Sequence, residues 1–443
     1  MTTTTTTTAI ELNPHSALQL QQLGSRTAEV DPAPEAHDND DSGIPDGGAG
    51  WTVLAGCAVI AWWMVGTPYS WGVIQSVLVE EGVSSPSVLS FVGSLSLGLV
   101  AALALLNARI MRSFGPRKIA MLGIVLMATS DLLSSWTLNT VGALFATSGV
   151  LKGIGLSLCA PPLSSIPAQY FNRKRGLANG IVFAAGGLGG AILSFAIDAL
   201  ASHLGPGWAF RVLALMTITT GLPAAFLIKQ RVPFPRSGLV DWRLFKSLTF
   251  VAIFMATFVG TFTLYVPPFF IPLYAKSINL SSTTGAGLLA GYNFASAVGR
   301  VGCGHLCDRI GPLNVFLMSM ILTSLSMLAL WPVSTSLVPM VAFVVVNGIS
   351  NGSFFSTLPT VVGNVFGSAR LSVTMGMFVT GYGGGYLMGA PIAGYILDAY
   401  GGADSGFQAY RPAMYYAGSL AISAAGLIAL ARFRIKPNVW AKI

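Results

Sequence analysis

The sequence predicts an all-α membrane protein, with twelve transmembrane helices arranged as two six-helix pseudo-repeats. Three observations lead there: too little charge for a protein solvated by water, apolar stretches of bilayer length, and residues that recur at one fixed separation. Of the 443 residues, 53% are hydrophobic and 9% are charged, against about 25% charged in an ordinary soluble domain. At a mean hydropathy of +0.69 the apolar residues are too many for one core, so lipid must solvate most of the surface. The 51 glycines fit this class, because small residues let membrane helices approach closely.

The net charge of +8 divides unevenly along the chain. Residues 1–50 hold eight acids and one base, Arg26, which leaves 23 bases and eight acids in the rest. Those bases cluster between apolar runs, the pattern of cytoplasmic loops, and a nucleic-acid partner is not expected. The four cysteines, Cys57, Cys159, Cys303 and Cys307, lie in apolar segments, so no disulfide framework is expected. His305 stands between Cys303 and Cys307, but on a helix it points away from both, and no metal site is expected.

Residues 1–45 open with seven consecutive threonines and continue with Ser, Pro, Gln, Asp and Glu, a composition that reads as a disordered cytoplasmic tail. No charged segment precedes an apolar stretch there, so the first membrane helix is expected to direct insertion. Twelve apolar stretches then begin near Trp51, Ser87, Lys118, Val141, Arg175, Gly207, Leu248, Thr283, Leu313, Leu337, Ser372 and Gln408. Each runs about twenty residues, enough to cross ~30 Å of hydrocarbon. The expected organisation is an N-terminal six-helix half at 46–228, a basic cytoplasmic linker at 229–247, a C-terminal half at 248–432 and a short cytoplasmic tail at 433–443.

Lysine and arginine placement orients the chain. With the N-terminus inside, eighteen bases fall in cytoplasmic connections, and only Arg211, Lys276 and Arg411 fall outside. Both termini are therefore expected in the cytoplasm, in a multi-pass protein of the plasma membrane. The sequon Asn279, Leu280, Ser281 then lies outside, where glycosylation occurs.

Residues recur at a period of 195 to 196. Gly115 and Pro116 return as Gly311 and Pro312, Lys152, Gly153 and Ile154 are matched by Asn347, Gly348 and Ile349, and Gly180, Gly187 and Gly189 return as Gly376, Gly383 and Gly385. Two six-helix halves in parallel repeat are the architecture of major facilitator transporters, whose substrate site lies near mid-membrane between the halves.

No phosphate-binding loop, dinucleotide fingerprint or nucleophile triad is present, so neither an enzyme nor a cofactor is expected. Transport powered by a gradient is the economical reading. Ionisable residues inside a bilayer are costly and mark function, and three stand out: Asp131, Lys152 and Arg300. Asp131 lies ~20 Å along the third stretch and Lys152 ~16 Å along the antiparallel fourth, which brings them to similar heights. They read either as a buried ion pair that holds the N-terminal half together or as a titratable pair that couples protons. Arg300 has Asn293 and Ser296 on its own helical face, and a guanidinium binds a carboxylate through two parallel bonds. The alternative for Arg300 is to snorkel to the cytoplasmic surface or pair with Asp308. Tyr69, Gln75, Asn347 and Tyr382 are candidates for further hydrogen bonds to substrate. Asp308 and Arg309 beside Gly311 form a candidate gate latch, together with the basic residues Arg112, Arg173, Lys174 and Arg175.

Two motifs resemble a known family. DGGAGW, from Asp46 to Trp51, and the segment Tyr170, Phe171, Asn172, Arg173, Lys174, Arg175 through Leu177, Ala178, Asn179 and Gly180 resemble the two signatures of the monocarboxylate porter family of the major facilitator superfamily. The threonine-rich tail suggests a fungal member. The resemblance implies proton-linked carriage of small monocarboxylates, using an eighth-helix Asp and Arg four residues apart and a first-helix Lys. Arg300 matches the arginine, while Ser296 stands at the acid and Tyr69 at about the lysine; Phe355 falls at the family's size-limiting aromatic. Three readings follow. The first is a carrier for a small organic anion, with substrate, protons and lipid as its partners. The second is an efflux carrier for a bulkier fungal metabolite. The third is a nutrient sensor that does not transport. Oligomeric state is not legible.

Overall fold

The computed structural model describes residues 47–171, 175–232, 240–367 and 371–438, the side chains at 168, 175, 176, 308, 371 and 372 apart. Every regular element among them is helical. The helices are α1 (Ala49–Glu80), α2 (Pro86–Ala102), α3 (Ala104–Phe114), α4 (Pro116–Ser134), α5 (Val141–Ser165), α6 (Arg175–Leu204), α7 (Pro206–Leu227), α8 (Leu248–Ser277), α9 (Ser282–Ile310), α10 (Pro312–Val333), α11 (Leu337–Phe366), α12 (Leu371–Gly381), α13 (Gly383–Ala399) and α14 (Arg411–Ile435).

Local chemistry sets their ends. At Gly115, Gly205 and Gly311 the backbone takes φ of 84°, 85° and 94°, a region closed to most L side chains. Each of these glycines stops one helix, and the proline that follows starts the next, where its missing N–H costs nothing. The apolar faces point outward, the reverse of a soluble protein. On α10, Met318, Ile321, Leu322 and Leu325 are exposed while Ser319, Thr323, Ser324 and Ser326 are buried. A helix that turns its hydroxyls inward and its Met, Ile and Leu outward is solvated by hydrocarbon.

Eight helices are long and apolar enough to cross a bilayer, and the α2–α3 pair, bent by 58°, makes a ninth if taken as one span. The other three expected spans are helical at the expected places but do not meet that standard. The helix α4 carries Arg117, Lys118 and Asp131, α9 carries Arg300 and Arg309, and the eleventh segment is broken at Tyr382 into α12 and α13. A second break, at Tyr265 inside α8, precedes Pro267 and Pro268.

Helix α1 packs along α6 and α9 along α11, while the N-terminal group α1–α7 meets the C-terminal group through α6 on α9, α2 on α13 and α1 on α8. Glycines make these seams close. A methyl group on Gly66 would lie 2.9 Å from the backbone of Gly189 and Gly190. The start of the expected linker is stitched to the segment that follows α5: Gln169 Nε2 donates to the Val232 carbonyl at 3.0 Å, and Gln169 Oε1 accepts from Arg231 N–H at 2.9 Å. Farther on, Trp242–Lys246 forms a 3₁₀ turn leading into α8. The expected N-terminal tail, residues 1–45, and the last residues of the C-terminal tail lie outside the described residues.

Candidate functional site

We call the end of the bundle where α1 begins and α14 ends the base, and the opposite end the crown. Arg300 sits on α9, in the half of that helix nearest the base. Its neighbours Phe294, Val298 and Val301 form the exposed stripe of that helix, which turns Asn293, Ser296 and Arg300 inward. The Arg300 side chain is 1% exposed, so it does not snorkel. Its Nη1 donates to the Phe183 carbonyl of α6. Its Cζ lies 5.4 Å from the ring centroids of both Tyr69 and Phe355, a cation set over two neighbouring rings. The Arg300 Nε is buried and has no hydrogen-bond partner.

Six aromatic side chains close a ring beside this guanidinium. Following centroids, Tyr69 meets Tyr265 at 5.2 Å, Tyr265 meets Tyr386 at 5.4 Å, and Tyr386 meets Tyr382 at 5.5 Å. Tyr382 meets Phe354 at 5.9 Å, Phe354 meets Phe355 at 5.3 Å, and Phe355 returns to Tyr69 at 6.5 Å. Tyr265 and Tyr382 stand at the two helix breaks, where irregular backbone in a membrane protein lines an internal site. The Tyr69 hydroxyl donates to Asn351 Oδ1 at 3.0 Å, and Asn293 Nδ2 donates to the Tyr69 carbonyl at 3.3 Å. Buried polar atoms rarely lack partners, yet α9 carries four that do: Tyr292 Oη, Asn293 Oδ1, Ser296 Oγ and Arg300 Nε.

Packing around Arg300 differs toward the two ends. On the crown side, a methyl group on Gly190 would stand 3.0 Å from Asn293 Cγ; on the base side, one on Gly304 would meet nothing within 4 Å. Gly304 follows Arg300 by one helical turn on the same face. At the crown, Lys276 Nζ of α8 pairs with Glu80 of α1 and donates to Ser76 Oγ at 3.3 Å, and Ser282 Oγ of α9 donates to Asp198 of α6 at 3.3 Å.

Two expected contributors lie elsewhere. Asn347 donates to Ser326 Oγ of α10 at 2.7 Å, and Gln75 donates to Ser90 Oγ of α2 at 3.0 Å. Both tie helices together and neither reaches Arg300. Asp131 and Lys152 meet at 2.7 Å, with side chains 0% and 5% exposed. Of the expected gate residues, Arg309 is exposed near the end of α9 and Arg112 is half-buried near the end of α3. Arg173 and Lys174, and the side chains of Arg175 and Asp308, lie outside the described residues.

The profile of the Major Facilitator Superfamily matches residues 51–299 and 253–443. The chain belongs to the Major Facilitator Superfamily. It is therefore a multi-pass membrane transporter rather than an enzyme. Among curated relatives, this superfamily chain is 29% identical to the Aspyridones efflux protein apdF of Emericella nidulans, over 81% of its own length and 74% of the relative's. It is 25% identical to the Agnestins efflux protein AgnL12 of Paecilomyces divaricatus, over 88% and 89% of the two chains. Among solved structures, the nucleoside transporter NupG superimposes with a TM-score of 0.67 at 13% identity, covering 86% of this chain and 99% of that one, a likeness of fold.

Within this superfamily fold, sequence reading missed Tyr265, Tyr386, Phe354 and Asn351. One signal was present for the first of them: Tyr265 follows Tyr69 by 196 residues, the period of the glycine repeats. The two repeat-related tyrosines meet each other at the seam between the halves.

Proposed function

We propose that this chain is an efflux carrier that moves a bulky, planar, acidic fungal metabolite by alternating access of its two six-helix halves. One observation carries the reading: a buried guanidinium with an unpartnered Nε, set over two neighbouring aromatic rings and bordered by a closed ring of six aromatic side chains. Arg300 supplies the charge-assisted bond to an anionic oxygen, and the rings supply the apolar faces on which a flat cargo stacks. Asn293, Ser296 and Tyr292 offer hydrogen bonds at the rim. The relatives named for efflux of aspyridones and agnestins support export of secondary metabolites. A cargo the size of lactate has only a methyl group to set against six rings. Ser296 and Tyr69, standing where the monocarboxylate porter resemblance implies an acid and a lysine, carry no charge at neutral pH. The small-monocarboxylate reading thus has less support. In the proposed carrier all twelve segments span, both termini are cytoplasmic, and the basic groups at Arg112, Arg173, Lys174 and Arg175 with Asp308 and Arg309 flank the inner gate in the plasma membrane.

The test is transport of radiolabelled anthraquinone-2-carboxylate, a flat aromatic acid, in proteoliposomes holding the purified protein, with lactate in parallel. The aromatic acid should move and lactate should not. Arg300→Ala should weaken the aromatic acid on the order of a hundredfold, equivalent to about 3 kcal/mol for a lost charged hydrogen bond. Because Arg300 also holds the Phe183 carbonyl, Arg300→Lys serves as the folded control that keeps the charge. Preference for lactate, or full transport by Arg300→Ala, overturns the reading.

A further inference from the structure

The ion pair of Lys152 with Asp131 has a counterpart in the other half. Adding 195 to Asp131 gives Ser326, and adding 195 to Lys152 gives Asn347. Lys152 Nζ donates to Asp131 at 2.7 Å between α5 and α4, and Asn347 Nδ2 donates to Ser326 Oγ at 2.7 Å between α11 and α10. The two halves thus join equivalent helices at the same place, one with charges and one without. A neutral hydrogen bond is enough to make this tie. Two buried charges add a large desolvation penalty and no geometry the neutral pair lacks; what they can do and a Ser–Asn pair cannot is change protonation state.

Two further observations indicate how. Asp131 is 0% exposed, yet its Oδ2 has no hydrogen-bond partner. Lys152 borders a small recess between α1, α2 and α5, where Thr67, Pro68, Trp71, Gly93, Ser96 and Ser148 line the other sides. The hydroxyls of Thr67 and Ser96 donate to the carbonyls of Trp63 and Gly93, and Ser148 Oγ shares a hydrogen bond with Ser134. Their lone pairs remain as acceptors for an ammonium. Few other ionisable groups surround the pair. Helix α2 carries none, the mid-helix Tyr69 of α1 is turned to Asn351, α5 contributes Lys152, and α7 contributes Arg211, whose Nε donates to Ser135 Oγ one turn beyond Asp131.

We propose that Asp131 is the proton-binding site that links the transport cycle to a proton gradient, with Lys152 as the partner that turns from Asp131 to the recess hydroxyls when the proton binds. A proton adds to Asp131 Oδ2, the pair goes from net zero to +1, and the hydrogen bond from Lys152 weakens as its acceptor becomes neutral. Loss of the same proton from the same oxygen restores the pair, and no other bond is made or broken. The turn Thr67–Trp71 of α1 borders the recess and also carries Tyr69 of the aromatic ring. Pro68 in that turn lacks the N–H that would stiffen it. Occupation of the recess by the ammonium therefore shifts the helix that lines the cargo site. This inference concerns the energy source and stands whatever the cargo is.

The test transplants the neutral tie: the double variant Asp131→Ser with Lys152→Asn should fold, as the same pair does in the other half. In proteoliposomes it should keep exchange of anthraquinone-2-carboxylate without a gradient and lose at least about tenfold of the accumulation driven by a pH gradient. Gradient-driven accumulation equal to wild type overturns the proposal. A second readout needs no cargo. Infrared difference spectra of the wild type between about pH 5 and about pH 9 should show a titrating carboxyl band that the double variant lacks; its absence from the wild type overturns the proposal. Failure of the wild type to move the probe strikes the cargo class proposed above and leaves this second readout decisive.

Discussion

Tyr69 shows how much one side chain does at this site. Its ring covers one face of Arg300 and touches Tyr265 and Phe355, while its hydroxyl donates to Asn351. Asn351 in turn donates to the Leu264 carbonyl at 2.9 Å, just before the α8 break at Tyr265. Tyr69→Phe keeps every ring contact and leaves Asn351 Oδ1 without its donor. The expected cost is about 1–2 kcal/mol of stability, read as a lower thermal midpoint of the detergent-purified protein, with anthraquinone-2-carboxylate transport still measurable. Tyr69→Ala removes the stacking face as well, and transport should fall far more than stability. Equal losses in the two variants would mean that the ring contributes nothing to cargo.

Among the helices, closeness of approach decides which changes are tolerated. The seam of α1 on α6 is built on Gly66, where an added methyl group would press at 2.9 Å on backbone that cannot move aside. Gly66→Val should therefore abolish the folded, monodisperse protein in gel filtration. Gly304→Ala, on a face with nothing within 4 Å, should leave folding intact and add up to about 1 kcal/mol through helix propensity. A folded Gly66→Val protein would show that α1 and α6 separate without cost. The breaks at Tyr265 and Tyr382 are also element-scale features. Their positions in the other repeat, Tyr69 and Gly186, lie within continuous helices α1 and α6, so irregular backbone lines the site on one side only.

For the whole molecule, the crown contacts and the open space at Gly304 predict a carrier closed at the crown end. Glu80 pairs with Lys276 over Ser76, which is 2% exposed. Ser76→Cys, in a background without the four native cysteines, should react slowly with a membrane-impermeant maleimide. Adding Glu80→Lys sets two cations against each other at the crown, and labelling should become several-fold faster. An unchanged rate would show that the pair does not hold the crown closed. Labelling from outside intact cells, rather than from inside, also tests the sidedness inferred from the basic residues.

Hydropathy and helix punctuation are local properties, and whatever depends on them was legible in the chain. A helix begins within three residues of each expected start, from Ala49 beside Trp51 to Arg411 beside Gln408, because glycine, proline and the lipid-facing residues act on their own neighbourhoods. The inward turn of Arg300 and the nearness of Tyr69 to it were legible, since a membrane helix seldom presents an arginine to lipid. Asp131 and Lys152 could be brought to one height by counting residues along antiparallel helices. The rotation of each helix about its axis was not legible, because it is set by which glycine meets which backbone across the seams. That rotation turned Asn347 to Ser326 and away from Arg300, and brought Tyr265, Tyr386 and Phe354 from separate helices into one ring. A site assembled from residues hundreds of positions apart follows from packing between helices, and the pattern within any single helix carries no record of it.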